Sequence, residues 1–517
     1  MHNSGRLYTI ACNFIQGLAL VFTGILLLSG LLFTCYAQDM TSQEVLTVPD
    51  NPLISLPGML ILGGVFLGLG GLFAKSATRR KPLLLALVMV WILMCGGLLI
   101  LFGRTAPAAD AWSVYSAAEA LAAGDTSVIH PTDSYLSYYP QQVGLMAFWE
   151  LLIRLWNLLH LDLQAYHFIK CLYVLLTCSI VYTQYRTVHL LWADDRIDCI
   201  YLLLAGCNLP LIMYSSFVYG ETPSFAALSA GIYFLMKLLR SDDAAGRTPA
   251  HPAGDAVLCI LFLTLSVLLR KNSLILLIAV LLVTVFEALN RRRYRLLLLC
   301  LIGAILSVSI LPITRKAYEL RAGNTLQDGV PAMSYFAMGM QESSRGNGWY
   351  NGYNFNTYQE SDMDTRLTTQ RSEQFIEERI AYFKAHPAYA MSFYFYKYLS
   401  QWADGTYASR QATLATLGER HPFFQKLYDG AYSQWYIGFC NIYQSVLYLG
   451  CFAFFFLRLW KRRATALYLY LGLIGAFGGF LFHMIWEANA RYIFLYGLLL
   501  IPYAAAGLSG LGDRSRP

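Results

Sequence analysis

The run NSLILLIAVLLVTVFEAL at residues 272–289, closed by Asn290-Arg291-Arg292-Arg293-Tyr294-Arg295, decides the class of this chain. A spanning helix needs about 20 predominantly apolar residues. Cytoplasmic loops carry the excess of Lys and Arg, so the basic block marks the inner end of this span. Working outward, thirteen apolar segments stand out, at roughly 7–35, 52–74, 83–103, 141–159, 166–185, 197–217, 222–239, 256–269, 272–289, 296–313, 434–457, 465–482 and 491–510. The first is too long for a cleavable signal peptide, and no small-residue cleavage site follows it.

Composition agrees. The chain has 517 residues, of which 57% are hydrophobic and 13% charged, with a mean hydropathy of +0.46. A soluble protein carries about 25% charged residues. That shortage excludes a cytosolic enzyme, a disordered protein and an ordinary nucleic-acid binder, so no nucleic-acid partner is expected. The expected fold class is an α-helical polytopic membrane protein with about 12–13 transmembrane or re-entrant helices and a small external domain. The eleven cysteines lie in or beside apolar segments and show no metal-ligand spacing. They read as small hydrophobes rather than a disulfide framework.

Basic clusters at Lys75/Arg79/Arg80/Lys81, at Arg458/Lys461/Arg462/Arg463 and at Arg514/Arg516 mark the inside. The acidic loop 36–51 is then outside, as are 104–140, 314–433 and the turns around Glu221, Arg270 and Glu487. Thirteen crossings would put the termini on opposite sides, whereas the charges want both inside. One segment between 141 and 220 therefore does not cross, and 141–159, with Glu150 and Arg154, is the suspect. The expected division is a membrane module over 1–313, an external soluble domain over 314–433, and closing membrane helices over 434–517. Gly246 to Gly254 reads as a cytoplasmic loop. The helical spacing of Trp112, Tyr115, Ala118 and Leu121 predicts a surface helix from Pro107 to Ala123.

Polar residues gather at the outer ends of the spans. Asp110 opens the surface helix, either as a cap for free backbone N–H groups or as a general base. Tyr135-Leu136-Ser137-Tyr138-Tyr139-Pro140 closes the same loop, as an aromatic belt or as a wall for sugar stacking. Glu221 stands before Thr222-Pro223 at a helix start. Arg270 and Lys271 interrupt a long apolar stretch, which is costly unless they are paired or lie at a water boundary; both suit phosphate oxygens. His483, Glu487, Asn489, Arg491 and Tyr492 crowd the start of the last span. There Glu487 and Arg491 are four apart and can pair on one helical face, or Arg491 can hold a phosphate. The Gly-, Asn- and aromatic-rich stretch 339–353 reads as a carbohydrate contact or a plain turn-rich loop. Lys397, Gln401, Trp402 and Asp404 follow on a Tyr-rich helix.

In layout, and at Asp110, Tyr139-Pro140, Arg491-Tyr492 and Pro502, the chain resembles the GT-C superfamily of membrane glycosyltransferases. It is most similar to the bacterial family of protein O-mannosyltransferase-like and lipid A aminoarabinose transferase-like enzymes. Many relatives carry a second acid directly after the loop acid, where this chain has Ala111. The resemblance implies an inverting transfer of a sugar from a polyprenyl-phosphate donor to an acceptor hydroxyl on the outer face of a bacterial plasma (inner) membrane. It implies Asp110 as base, with Arg491, Arg270 and Lys271 on the donor phosphate. Tyr139, Glu221, His483, Glu487 and Tyr492 would line the substrate pocket. The acceptor would be a polysaccharide, a glycolipid or a protein of the cell envelope, with membrane lipid around the spans. No cofactor is certain, and a divalent metal stays open. The competing readings are a polysaccharide polymerase, a lipid-linked sugar flippase, for which inverted repeats would be expected, and a membrane scaffold.

Overall fold

A computed structural model describes residues 2–38, 44–132, 134–240, 251–461 and 466–512. Arg462, Arg463, Arg514, Arg516 and residues 246–250 of the loop read as cytoplasmic lie outside the described residues. In chain order the elements are α1 (His2–Leu32), a hairpin of β1 (Phe33–Ala37) and β2 (Val45–Pro49), α2 (Pro52–Ala74), α3 (Ala77–Leu98), α4 (Asp110–Ala122), α5 (Tyr135–Tyr138), α6 (Val143–Leu159), α7 (Ala165–Trp192), α8 (Asp195–Gly206), α9 (Leu209–Tyr214), α10 (Glu221–Arg240), α11 (Pro252–Leu269), α12 (Ser273–Asn290) and α13 (Tyr294–Ala322). Then come α14 (Ala332–Gly339), α15 (Tyr353–Gln359), α16 (Thr365–Ala385), α17 (Pro387–Trp402), α18 (Ser409–Ala412), α19 (Pro422–Asp429), α20 (Ala431–Trp460), α21 (Leu471–Ile485) and α22 (Ala490–Leu511). Among the described residues, eleven helices are long and apolar enough to cross a membrane. The chain is a multi-pass α-helical membrane protein.

Two of the thirteen apolar segments, 141–159 and 197–217, are not such helices. Residues 197–217 break into α8 and α9, and the break is capped where it forms. The Asn208 side chain accepts from Leu211 N, with Pro210 in the first turn of α9, which frees the chain to restart its hydrogen-bond ladder. The first segment, marked to 35, also ends early. From Phe33 the chain leaves the helix and pairs antiparallel with β2, Cys35 facing Thr47.

Side-chain contacts sort the helix ends into two sets. At one end Lys81 pairs with Asp195 and Asp198, and Arg291 and Arg293 donate to the carbonyls of Leu239 and Leu238. The first described helix starts there and the last one ends there: Tyr8 donates to Glu287 at 2.6 Å, and Gly512 packs on Arg196. At the other end Lys170, near the start of α7, donates to the carbonyl of Thr105. The amphipathic α6 stays at that second end over its whole length. Gly144 abuts the carbonyl of Leu268, Glu150 pairs with Arg321 at 2.6 Å, and Arg154 reaches the Leu121 carbonyl at 2.9 Å. So α6 does not traverse the bundle, while the broken α8–α9 does. The eleven long helices and that broken one return the chain to the end where it began.

α22 is the axis. Its most apolar stretch is 83% buried, against 22% for α2, which presents its side chains outward. α20 and α22 come together through glycine: a methyl at Gly450 would sit 2.5 Å from the Ala504 carbonyl, and one at Gly507 would meet Gly450. Small residues permit such close backbone approach between spanning helices. The stretch 314–433 is not detached from this bundle. α13 continues through Pro312 to Ala322 and stops at Gly323 (φ +66°). Farther on, Trp402, Asp404 and Tyr407 are buried between α20, where Gly405 lies against Cys440, and α22, where Tyr407 lies against Gly497.

The two ends give a labelling prediction. Single cysteines at the exposed positions Asp162→Cys and Lys271→Cys should react with an impermeant maleimide from the same side of the membrane, above the labelling of the parent chain, and Lys75→Cys from the opposite side. Gly507→Ala should lower the thermal unfolding midpoint in detergent, at the scale of an overpacked core, about 1–3 kcal/mol.

Candidate functional site

Asp110 is the first residue of α4, not its cap. The preceding Ala109 adopts φ +47°, in the left-handed region, and no side chain caps the helix. For a residue with a Cβ that backbone is uphill by about 1–2 kcal/mol. It is held there because Val114, Ala118 and Leu121 are fully buried and Ala106 N is tied to the Ala415 carbonyl. The Asp110 carboxylate is exposed and takes the hydroxyl of Tyr135 as a hydrogen bond. Burial first, then the charges of Tyr219 and Asp110, hold the Tyr135 phenol well above its ordinary range.

The cations converge on one carboxylate. Glu221, first residue of α10, lies 2.5 Å from Arg270 Nη1 and 3.4 Å from Arg491 Nε. Arg270 closes α11 in an extended conformation. Arg491 sits in the first turn of α22, where Asn489 caps its backbone N–H at 2.9 Å. The Arg491 guanidinium lies 5.5 Å from the ring centres of Tyr219 and Tyr492 and 5.8 Å from that of Phe217. Arg270 lies 5.9 Å from the Tyr492 ring. Lys271 is exposed and joins no ion pair among the described residues; the structure does not bring it to Glu221.

The sequence spacing allowed Glu487 and Arg491 to share a helical face, and the structure corrects this. α22 starts at Ala490, so Glu487 lies in the extended segment Trp486–Asn489 rather than one turn below Arg491. The ion pair Arg491 makes is with Glu221. Glu487 faces the space where Asp110, Arg491, Arg345 and Tyr492 meet. Burial pushes its carboxyl up to about 7, with Asp110 adding and Arg491 opposing. Tyr139 is raised by burial and then by the charges of Asp110, Tyr350 and Glu487. Deeper in the bundle His483 is fully buried, stacked on Tyr492 at 5.7 Å. Among the described residues, neither of its ring nitrogens nor the Tyr496 hydroxyl has a hydrogen-bond partner. Among the described residues no three His, Cys, Asp or Glu side chains gather as metal ligands do. Asp110 and Glu487 alone fall short of such a set, so no step here is derived through a metal.

Lys397 is the contributor whose role the sequence did not disclose. It is fully buried, and its Nζ donates to the carbonyls of Gly339 at 2.5 Å and Trp486 at 2.8 Å. Beside it Ala488 N donates to the Gly348 carbonyl at 2.7 Å, and Trp349 and Ala488 form a parallel bridge. These contacts fix the segment that carries Glu487 and Asn489. The available signal was a lone cation in the Tyr-rich helix 387–402. Lys170, also fully buried, escaped the sequence reading as well.

No protein-family model matches the sequence, and no curated protein does. The site stands on its own geometry.

Two predictions follow from it. Glu221→Ala leaves two largely buried guanidinium groups without their counter-charge. It should cost about 3–5 kcal/mol of stability, whereas Glu342→Ala, which breaks the 54%-exposed partner of Arg379, should cost about 0–1 kcal/mol; thermal unfolding in detergent separates them. Burial lowers Lys397 from 10.5 to about 7. Between those values the unfolded chain binds the extra proton, so stability rises with pH across this window. Lys397→Met should flatten that rise in unfolding midpoints taken from pH 7 to 10.

Proposed function

We propose that the chain is an inverting GT-C type glycosyltransferase that takes a sugar from a polyprenyl-phosphate donor to an acceptor hydroxyl at the end of the bundle bearing the long loops. One observation carries this reading: a carboxylate and a guanidinium pair, far apart in sequence, surround the same rings. Tyr219 lies in the fields of Asp110, Arg491, Glu221 and Arg270, and Tyr492 in those of Glu487, Arg491, Arg270 and Asp110. A general base and a phosphate-binding pair are the two parts this transfer requires.

The chemistry balances within that arrangement. The acceptor hydroxyl oxygen forms a bond to the anomeric carbon from the face opposite the lipid phosphate, and its proton passes to Asp110. The bond from anomeric carbon to phosphate oxygen breaks, and its electron pair stays on the phosphate. Arg270 and Arg491 face that developing charge from fixed positions, which lowers the barrier more than mobile cations would. Glu221 keeps both guanidinium groups in place and limits their joint charge to one unit above neutrality, suited to a phosphodiester. The break between α8 and α9 is the one feature that favours a lipid-linked sugar flippase. Its helix start is buried and satisfied by Asn208, so it offers no free backbone groups to a moving head group.

The orientation follows the basic loops, which put this end on the outer face. In membranes supplied with labelled polyprenyl-phosphate sugars, Asp110→Asn should reduce transfer about 10²–10⁴-fold, the range for loss of a general base, at matched expression. Transfer that survives the substitution removes Asp110 as base. Leaflet exchange of the donor without transfer, from wild type, replaces the transferase reading with the flippase.

A further inference from the structure

We propose that the groove along the second half of α2, closed at its inner end by Arg196 of α8, binds an anionic glycerophospholipid of the inner leaflet. The proposal does not depend on the transferase reading.

α2 turns most of its side chains outward. Its stretch from Val65 to Lys75, with Arg196, lines one open groove of about 920 Å³. Val65, Leu69 and Leu72 form an exposed apolar wall. From Val65 to Lys75 a helix rises about 15 Å, half of a hydrocarbon core about 30 Å thick. The groove therefore runs the depth of a single leaflet. Lys75 and Arg196 stand at its inner rim, where the basic loops place the cytoplasmic head groups.

Arg196 is the polar anchor. Its guanidinium lies between α2 and the end of α22: a methyl at Gly71 would sit 3.8 Å from its Nε, and Gly512 packs on its Nη2. The Nε is withdrawn from solvent with no hydrogen-bond partner, a costly state for a charged donor. Among the described residues the Arg196 side chain joins no ion pair, and neither does the exposed Lys75. The neighbouring carboxylates are engaged elsewhere. Asp194 accepts from the backbone N–H groups of Arg196 and Ile197 at 2.8 and 3.2 Å, and Lys81 holds Asp195 and Asp198 at 2.5 and 3.0 Å. Arg80 folds across the end of α2 and donates to the Leu72 carbonyl at 3.0 Å. The end of α2 and the starts of α3 and α8 thus bring Lys75, Arg79, Arg80, Lys81 and Arg196 against Asp194, Asp195 and Asp198. Two positive charges are left over. The sequence after Gly512 adds Asp513 against Arg514 and Arg516.

An apolar wall one leaflet deep with surplus cations at its inner rim is complementary to an acyl chain that ends in a phosphate. The Arg196 fork suits phosphate oxygens, and Lys75 adds a point charge. A zwitterionic lipid carries its own cation beside the phosphate, so the surplus favours a head group of net negative charge. Each cation near such a head group contributes about five-fold in affinity. An acyl chain ends within one leaflet, as the groove does, whereas a polyprenyl chain continues beyond it.

The test is native mass spectrometry of the full chain in detergent, titrated with phosphatidylglycerol and with phosphatidylcholine of the same acyl chains. Phosphatidylglycerol should bind more tightly. Arg196→Gln and Lys75→Gln should each weaken it about five-fold and leave phosphatidylcholine unchanged, while Arg196→Lys should retain most of the preference. Arg186→Gln removes an exposed cation outside the groove, 5.8 Å from the Tyr233 ring, and should have no effect. Unfolding midpoints without added lipid identify folded variants; should Arg196→Gln fail to fold, the exposed Lys75 carries the comparison. Equal affinity for the two lipids would overturn the site, as would a preference unchanged in Lys75→Gln or an equal loss in Arg186→Gln. So would displacement of the lipid by free glycerol phosphate, which would make the ligand a soluble anion, or by an equimolar polyprenyl phosphate.

Discussion

One carboxylate holds the site together. Glu221 is buried, and the two guanidinium groups it engages are largely withdrawn from water, Arg270 to 15% and Arg491 to 21% exposure. Charges removed from water survive in a bundle of apolar helices only when they are paired. Meeting that requirement draws three separate parts of the chain to one point: the start of α10, the end of α11 and the start of α22. It also determines the local backbone. Arg270 leaves its helix extended, and Asn489 caps α22 so that Arg491 falls in the first turn. The cost of isolated charge, more than any sequence motif, aligns the ends of these helices.

A second constraint acts on the long stretch after α13. Among the described residues Lys397 has no carboxylate in direct contact; two backbone carbonyls accept its hydrogen bonds. Those carbonyls belong to α14 and to the turn between α21 and α22, so the lysine welds the loop-rich region to the bundle beneath the site. Asp404 shows the same economy. It is buried, accepts from Thr406 and Ala408, and burial raises its carboxyl to about 6. Stability and site geometry are therefore linked through residues that need not touch any substrate.

The spans were readable because a helix in lipid must be apolar over its whole length, a signal contained in about twenty consecutive residues. For α6 there was only a suspicion, from Glu150 and Arg154, whose charges call for partners outside the lipid; Arg321 supplies one. The break in 197–217 was not readable, since Asn208 and Pro210 amid apolar neighbours also suit a kinked span. Asp110, Glu221, Arg270, Glu487 and Arg491 could each be singled out, because polar residues at the ends of spans are costly and few. Their partners could not. The Glu221–Arg491 pair joins positions far apart in sequence, and local spacing instead offered Glu487, four residues away. The same holds for the region 387–412: Gly405 against α20 and Tyr407 against α22 depend on close backbone approach that hydropathy does not encode.

The most direct measurement is the affinity of the purified chain for a short-chain polyprenyl-phosphate sugar, compared between wild type and the Arg270→Ala/Arg491→Ala double variant. The unphosphorylated prenyl alcohol serves as control, and matched unfolding midpoints establish that both proteins are folded. If the guanidinium pair on Glu221 receives the donor phosphate, the variant loses most of its preference for the phosphorylated lipid over the alcohol. An undiminished preference in a folded double variant would contradict the account.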